Sequence, residues 1–385
     1  MSLGRRVEIT TRCMPTIQEW LNALTISRRV RVESSPALIQ EIQQRQVRKQ
    51  TERQQRGHPL PSQKLQLMTV SPFAPEAEID VVPVHLLLRL GVVTTPAVEN
   101  LADICSTWAC FRYLWAFDIP PPGFSNQSLR LSYAARNIDF HQKSLLSDEI
   151  GVGMAALLVG AYMNAPLAAD VSVAMNDPTW PIDLQSRESP DYLFFDSTQT
   201  TIFIVECKGS QTTRAASMDQ LRRGTEQVPS LIFTDGRRPP SLIVATLLSS
   251  NGTTVFVVDP PSDDESRIEE LEKPERTGKR EWRVRDDKAF TRATRLISQA
   301  KLLSFSGADE AAATKLQRAR TEVRRTPRVV PRVTTTSENE FGTFIGVRQR
   351  LPMKDRINVD VFQGIERPVY ESILAEDMDR ETEAT

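Results

Sequence analysis

One stretch of this chain, Pro190–Gly209 (PDYLFFDSTQTTIFIVECKG), constrains the fold more than any other. Its aromatic run Asp191–Asp196 and its apolar run Thr201–Lys208 are both of strand length and rich in residues that favour strands. The polar residues between them, Ser197–Thr200, are typical of a turn. The stretch therefore predicts a β-hairpin.

Charged side chains stand at one end of this hairpin. Glu206 and Lys208 are two residues apart on a strand, so they project from the same face, whereas Cys207 points to the opposite face. An antiparallel turn brings Asp191 back to the neighbourhood of Glu206. Two carboxylates at close range repel each other unless a cation joins them, so the pattern indicates a metal site.

Pro190-Asp191, followed by a hairpin and then by Glu206-Cys207-Lys208, resembles the signature of the PD-(D/E)XK nuclease superfamily. The resemblance implies an α/β fold with a restriction-endonuclease-like core, in which a mixed β-sheet is flanked by helices. The order of predicted elements agrees with it, because a helix precedes the hairpin and a helix and two strands, Ser241–Leu248 and Thr253–Asp259, follow it. The alternative is an ordinary surface hairpin whose charges cap the ends of its strands.

The resemblance implies hydrolysis of phosphodiester bonds in DNA with Mg²⁺ or Mn²⁺. Asp191, Glu206 and the backbone carbonyl of Cys207 are then the expected metal ligands. Lys208 is expected to stabilise charge on the phosphate and to position water, because nearby carboxylates oppose the lowered pKa that a general base needs. Similar nucleases often carry a glutamate on the preceding helix and some carry a glutamine on the following one, which Glu149 and Gln220 match.

The helix before the hairpin is predicted over Ser144–Met163, with Ser147 as its N-cap. Glu149 shares one helical face with small residues such as Gly153 and Gly160. Small residues allow close packing, so this face is predicted to lie on the sheet and to bring Glu149 to the mouth of the site. Alternatively, Glu149 is only a favourable acid in the first turn.

Basic residues in two segments are candidates for contacts with nucleic acid. The first segment is the helix predicted over Arg214–Val228, which also carries Gln220 on its polar face, and the second is the basic stretch Thr314–Arg332. Solvated arginines, or a disordered or partner-binding segment, are the alternatives. The candidate residues are Arg222, Arg223, Arg324, Arg325 and Arg328.

Three regions are predicted along the chain. Residues 1–125 form a mainly helical N-terminal region, residues 126–262 form the nuclease-like domain, and residues 263–385 form a charged C-terminal extension with a basic arm. Phe341–Leu351 and Arg356–Phe362 predict a terminal hairpin, which either adds to the core sheet or makes a dimer contact.

Composition excludes several other classes of protein. The net charge of −1 argues against a global field that attracts nucleic acid, so any basic surface must be local. Three histidines and four cysteines without CxxC spacing argue against a zinc site. No secretory signal is apparent at the N-terminus, and the apolar part of Ile150–Ala169 is too short for a membrane span, which favours a buried helix and a cytoplasmic protein.

Together these patterns predict a Mg²⁺-dependent deoxyribonuclease, expected to be an endonuclease. Bacterial restriction, anti-phage defence or mobile-element processing is the expected setting. DNA is the expected substrate, RNA remains an alternative, no membrane partner is expected, and a homodimer or a partner protein is left open. The alternative function is a non-catalytic nucleic-acid-binding or assembly module on the same fold. A third reading is a basic-armed scaffold in which the hairpin is incidental.

Overall fold

A computed structural model gives the fold of the chain. It describes residues 15–55, 69–70, 77–96, 101–121, 127–171, 182–184, 190–196, 202–228, 231–236, 238–260, 282–323, 335–339, 342–352 and 358–373. The strands are β1 Arg28–Glu33, β2 Thr69–Val70, β3 Ala77–Val81, β4 Leu167–Asp170, β5 Ile182–Leu184, β6 Tyr192–Phe195, β7 Ile202–Ser210, β8 Leu231–Ile232, β9 Ser241–Leu248, β10 Thr253–Asp259, β11 Trp282–Val284, β12 Thr335–Asn339, β13 Gly342–Pro352 and β14 Asn358–Glu366. The helices are α1 Ile17–Thr25, α2 Pro36–Gln55, α3 Pro83–Thr94, α4 Ala102–Arg112, α5 Tyr133–Arg136, α6 Phe140–Tyr162, α7 Arg214–Gln227, α8 Asp287–Phe305 and α9 Asp309–Val323, and residues 367–373 add a last helical segment.

A mixed sheet runs through the middle of the molecule in the order β3-β1-β10-β9-β7-β6-β4, with β2 also pairing with β10. The pairs β7/β9 and β1/β10 are parallel, and the remaining pairs are antiparallel. The predicted turn between β9 and β10 is present, and Gly252 in it has a φ of +150°, which suits a residue without a side chain. The α/β class with a mixed sheet is therefore confirmed.

Helices cover both faces of this sheet. Alternate side chains of each inner strand enter two different apolar clusters: Ile204 of β7 lies with α2, α7 and α8, whereas Val205 lies with α3 and α6. A strand buried on both faces needs apolar residues throughout, which explains the runs SLIVATLL in β9 and TTVFVVD in β10. Any charged side chain on the middle of β7 is consequently held inside the protein.

Helix α6 begins earlier than the sequence predicts. Asp139, not Ser147, is its N-cap and accepts a hydrogen bond from the backbone N–H of Gln142 at 3.1 Å. Ser147 lies in the helix interior, where its hydroxyl donates to the carbonyl of Lys143 at 2.5 Å. A serine can make this bond to the preceding turn, so its presence alone did not mark the start of the helix.

The same helix satisfies the length and hydropathy requirements of a membrane span. Over half of its most apolar window is nevertheless buried, because it packs between the sheet and α3. Helix α6 is therefore packed as a buried helix, as the sequence predicts for its apolar segment.

The N-terminal region holds the helices α1–α4, and it also supplies β1 and β3 to the central sheet. β1 has the sequence RRVRVE, in which Val30 and Val32 are buried and Arg29 and Arg31 are exposed. Its arginines concealed a strand whose partners are β3 and β10, more than forty residues and more than two hundred residues away in sequence respectively. The boundary predicted at residue 125 therefore does not separate two sheets.

The C-terminal region likewise contributes to the core. α8 packs against α9, α4 and β4, and its buried residues, such as Phe290 and Leu303, belong to the same apolar cluster as α7. The predicted terminal hairpin is present as β13 and β14, which form a separate sheet with β12. Gln363 of β14 donates to the carbonyl of Asp103 at 3.0 Å, so this sheet rests on α4 and does not extend the central sheet.

Candidate active site

The predicted hairpin is present, with β6 and β7 antiparallel and Tyr192 opposite Val205. This register sets Asp191, which directly precedes β6, opposite Glu206. The Asp191 Oδ2 atom accepts a hydrogen bond from the backbone N–H of Cys207 at 2.8 Å. The first carboxylate of the sequence motif is thus attached to the strand that carries the other two motif side chains.

Side chains of β7 alternate as the sequence predicts. Cys207 is buried in the cluster beneath α6, together with Val205. Glu206 lies on the opposite face, under α7, where its Cγ atom is 3.3 Å from the position that a Cβ on Gly224 would occupy. Gly224 therefore allows α7 to cross directly above Glu206.

Glu206 is a completely buried carboxylate, with 0% of its side chain exposed. Its Oε1 atom forms an ion pair with the ammonium group of Lys208, whose side chain is 22% exposed. Neither carboxylate oxygen of Glu206 accepts a conventional hydrogen bond from the described residues. Since a buried carboxylate normally has several hydrogen-bond donors around it, Glu206 retains capacity for a further positive partner.

The three motif residues perturb one another's protonation. The pKa of Glu206 is raised to about 7, chiefly by burial and then by the Asp191 carboxylate, while Lys208 opposes both. Burial also raises the pKa of Asp191, against the effect of Lys208 and of the Cys207 N–H. Burial lowers the pKa of Lys208, but the carboxylates of Glu206 and Asp191 outweigh it, so the net shift is upward. Lys208 is consequently an ammonium group at neutral pH.

The small-residue face of α6 does not lie on the sheet, contrary to the sequence prediction. A Cβ on Gly153 would come within 2.9 Å of the carbonyl oxygen of Leu86, so this face packs on α3. The face that meets β7 carries Ser147 and Gly151 instead: a Cβ on Gly151 would lie 2.8 Å from the carbonyl oxygen of Lys208. The helix is therefore rotated relative to the orientation that the small residues suggested.

This rotation decides the position of Glu149. Its Oε2 atom accepts a hydrogen bond from the Tyr113 hydroxyl at 2.6 Å, and its Oε1 atom lies 3.7 Å from a guanidinium nitrogen of Arg112. Glu149 therefore links α6 to the end of α4, and none of its described contacts is to Asp191, Glu206 or Lys208.

The neighbouring residue, Asp148, is the acid of α6 that interacts with the motif. Partial burial raises the pKa of Asp148, whereas the Lys208 ammonium lowers it, and Asp148 in turn raises the pKa of Asp191. Asp170, at the end of β4, also raises the pKa of Asp191. Neither acid was predicted from the sequence; the spacing of three residues between Asp148 and Gly151, which puts them on one helical face, was the signal that could have identified the first.

Gln220 lies on the helix that crosses the site, as predicted. Its Nε2 atom donates to the carbonyl of Gly209 at 3.0 Å, one residue beyond Lys208. Its Oε1 atom is buried and accepts no hydrogen bond from the described residues. Gln220 therefore fixes the end of β7, and its Oε1 atom can accept a hydrogen bond from a bound group.

The arginine candidates divide into three groups. Arg222 is only 7% exposed on the packed side of α7, so its burial opposes the predicted surface contact with phosphate. Arg223 is exposed on the same helix, as such a contact requires. The remaining three, Arg324, Arg325 and Arg328, lie outside the described residues.

The residues at this site fit a hard divalent cation. Glu206 supplies buried oxygens whose one described charged partner is the Lys208 ammonium, Asp191 supplies a second carboxylate, and the Cys207 carbonyl is the backbone ligand that the sequence predicts. Among the described residues, no three His, Cys, Asp or Glu side chains gather closely enough to hold a metal ion by themselves. Mg²⁺ does not require such a cage, because proteins usually bind it through one or two carboxylates while it keeps several waters.

The polar cluster at the end of β7 can thus hold a cation and stabilise negative charge with an ammonium group beside it. Compared with protein-family models, with curated proteins and with solved structures, the chain matches none. Its chemistry must therefore be argued from its own residues.

Proposed function

We propose that this chain is a metal-dependent nuclease that hydrolyses phosphodiester bonds in DNA, with a restriction-endonuclease-like core. The observation that carries the proposal is the meeting of Asp191, Glu206 and Lys208 at one end of a buried strand. Burying two carboxylates beside a lysine costs folding free energy, which a purely structural hairpin has no reason to spend.

In the proposed reaction, Asp191 and Glu206 hold Mg²⁺ or Mn²⁺ with the Cys207 carbonyl. The bound ion supplies Lewis-acid stabilisation of phosphate charge. Lys208 contributes a second positive charge and orients the phosphate or the attacking water. Its raised pKa argues against a role as general base, because it holds its proton at neutral pH.

Two further side chains have supporting roles in the proposal. Gln220 fixes the Gly209 carbonyl, and its Oε1 atom, which accepts no hydrogen bond from the described residues, can accept one from a water or a substrate group. Asp148, whose pKa the Lys208 ammonium lowers, is a better candidate than Glu149 for the acid that the preceding helix contributes.

An endonuclease acting in the cytoplasm, in bacterial restriction, anti-phage defence or mobile-element processing, is the setting that we propose for this activity. The intact set of two acids and a lysine is what supports an active enzyme in these roles.

The test is cleavage of supercoiled plasmid and of linear DNA by the full chain with Mg²⁺ or Mn²⁺. We expect Asp191→Asn, Glu206→Gln and Lys208→Met each to reduce the rate by at least about a hundredfold, because each removes a cation ligand or a phosphate-stabilising charge. Nicked and linear products from the plasmid would identify an endonuclease.

Glu78→Gln is the matched control, since Glu78 is an exposed acid that pairs only with Arg29 among the described contacts. It should cleave like the wild type. Cleavage that survives EDTA, or that persists in all three motif variants, would refute the assignment.

A non-catalytic nucleic-acid-binding module is the second candidate. The observation in its favour is the Glu206–Lys208 ion pair, which neutralises the buried carboxylate without a metal. Metal-dependent DNA binding by the wild type without any product, under conditions in which Asp191→Asn loses the metal dependence, would identify this function.

A further inference from the structure

Two aromatic rings stand almost fully in solvent on consecutive helices. Tyr133, the first residue of α5, is 77% exposed, and Phe140, the first residue of α6, is 83% exposed. Large apolar side chains are usually buried, and a phenylalanine with this exposure gains nothing for folding. We call Tyr133, Arg136, Phe140 and Lys143 the aromatic ledge.

The ledge borders the same end of the sheet as the candidate active site. The strand end at Ser210 lies opposite Leu247 of β9, and the turn after β9 accepts a hydrogen bond from the Leu131 N–H at Ser249. On the other side, Gln211 Nε2 donates to the carbonyl of Lys143 at 3.2 Å. The segment that carries the ledge is therefore hydrogen-bonded at one end to the turn after β9 and at the other end to Gln211, which follows β7.

The distance along α6 is short enough for one bound strand. Phe140 precedes Asp148 by eight residues, which corresponds to about 12 Å of helix. At the rise of duplex DNA, about 3.4 Å per nucleotide, this is a span of roughly three or four nucleotides, and an extended single strand needs fewer. A strand that follows α6 from Asp148 can consequently reach Phe140 within this length.

The charge of the ledge suits a nucleic-acid backbone. Arg136 is exposed, with its guanidinium carbon 6.0 Å from the centroid of the Tyr133 ring, and Lys143 follows Phe140 by about one helical turn. The one acid in this segment, Asp139, already caps α6 through the Gln142 N–H. Proteins bind single-stranded nucleic acids with this combination of aromatic and basic side chains, because the bases stack on the rings and the phosphates pair with the positive charges.

We propose that the aromatic ledge stacks unpaired bases of the strand that enters the active site, so that the preferred substrate is single-stranded or carries an unpaired flank. This inference rests on the proposed nuclease function. Bases of a duplex already stack on their neighbours, so only unpaired bases offer a free face to Tyr133 and Phe140. A protein partner for the same rings is the competing explanation, and it predicts no effect on DNA binding.

The test measures fluorescence anisotropy of labelled oligo(dT) and of a labelled duplex with the full chain in EDTA, so that hydrolysis does not intervene. We expect tighter binding of oligo(dT), and a loss of roughly 5- to 100-fold in its affinity for Tyr133→Ala and for Phe140→Ala. Tyr133→Phe keeps the ring and should retain the affinity of the wild type.

Tyr162→Ala is the matched control, because Tyr162 is an exposed aromatic residue, 54% accessible, at the opposite end of α6. It should bind oligo(dT) like the wild type. Unchanged affinity in both alanine variants, an equal loss in Tyr162→Ala, or no binding of oligo(dT) by the wild type would overturn the proposal. Cleavage is measured separately on plasmid, so an inactive enzyme that still needs both rings for binding would refute the nuclease function alone.

Discussion

Replacing Glu206 with glutamine should change how the stability of the protein depends on pH. The pKa of Glu206 is raised from an ordinary value of 4.5 to about 7 in the folded protein. Below about pH 4.5 the carboxyl group is protonated in both the folded and the unfolded states, so it adds no pH dependence there. As the pH rises towards about 7, the unfolded chain releases a proton that the folded protein retains, and the free energy of unfolding falls.

The size of this effect follows from the shift itself. At 1.36 kcal/mol for each pKa unit, ionising Glu206 costs the folded protein about 3 kcal/mol above neutral pH. Glutamine cannot ionise, so the stability of Glu206→Gln relative to wild type should increase by about this amount between about pH 5 and about pH 8. In a chain of this length, such a difference moves the melting temperature by about 4 °C.

The assay is urea denaturation of the wild type, Glu206→Gln and the control Glu78→Gln at several pH values, without divalent metal. Glu78 is more than half exposed, so its replacement should leave the pH profile of the wild type unchanged. Our reasoning about Glu206 is refuted if the difference between Glu206→Gln and the wild type stays constant over this range or shrinks as the pH rises.

Three further predictions concern the metal and the frame of the site. Mg²⁺ should raise the melting temperature of the wild type at about pH 8 more than at about pH 5, where protons compete for Glu206, and Asp191→Asn should abolish the shift in a thermal denaturation assay. Gly209→Ala should lower the free energy of unfolding, measured by urea denaturation, by about 3 kcal/mol or more, because the new Cβ would lie 1.7 Å from the carbonyl oxygen of Ser147. The control Gly160→Ala should be neutral or stabilising, because the nearest atom to its new Cβ is 3.6 Å away. Equal effects of the two substitutions would contradict this packing. Arg214 donates to both carboxylate oxygens of Glu33 at 2.6 Å, so Arg214→Ala should destabilise the fold by about 2 kcal/mol after allowance for the partial exposure of Arg214. Arg214→Lys should recover only part of this loss, because an ammonium group cannot bond both oxygens in the same way. Full recovery of stability in Arg214→Lys would refute the bidentate argument.

Local sequence patterns were enough to predict many elements of the fold and the main residues of the candidate site. The runs that became β9 and β10 were predicted with the bounds that the structure has, because their ends coincide with proline, asparagine-glycine and charged residues. The hairpin of β6 and β7 was equally local. Strand alternation alone was enough to put Glu206 and Lys208 on one face and Cys207 on the other.

Partners that are distant in sequence were beyond the reach of such patterns. β1 looks like an arginine-rich surface segment until β3 and β10 pair with it, and α8 looks like part of a charged extension until its apolar side meets β4 and α4. The hydrophobic pattern of a short strand or an amphipathic helix indicates which side is buried, but it does not indicate which other element covers that side.

The sequence by itself therefore determined that two acids and a lysine meet at one end of a buried hairpin, because strand periodicity and a short turn leave little freedom. Only the tertiary structure decided which acid of α6 joins them. Glu149 and Asp148 are adjacent, and the rotation of the helix selects between them. That rotation is set by the close approach of Gly151 to the Lys208 carbonyl and of Gly153 to the Leu86 carbonyl, which are contacts between segments far apart in the chain.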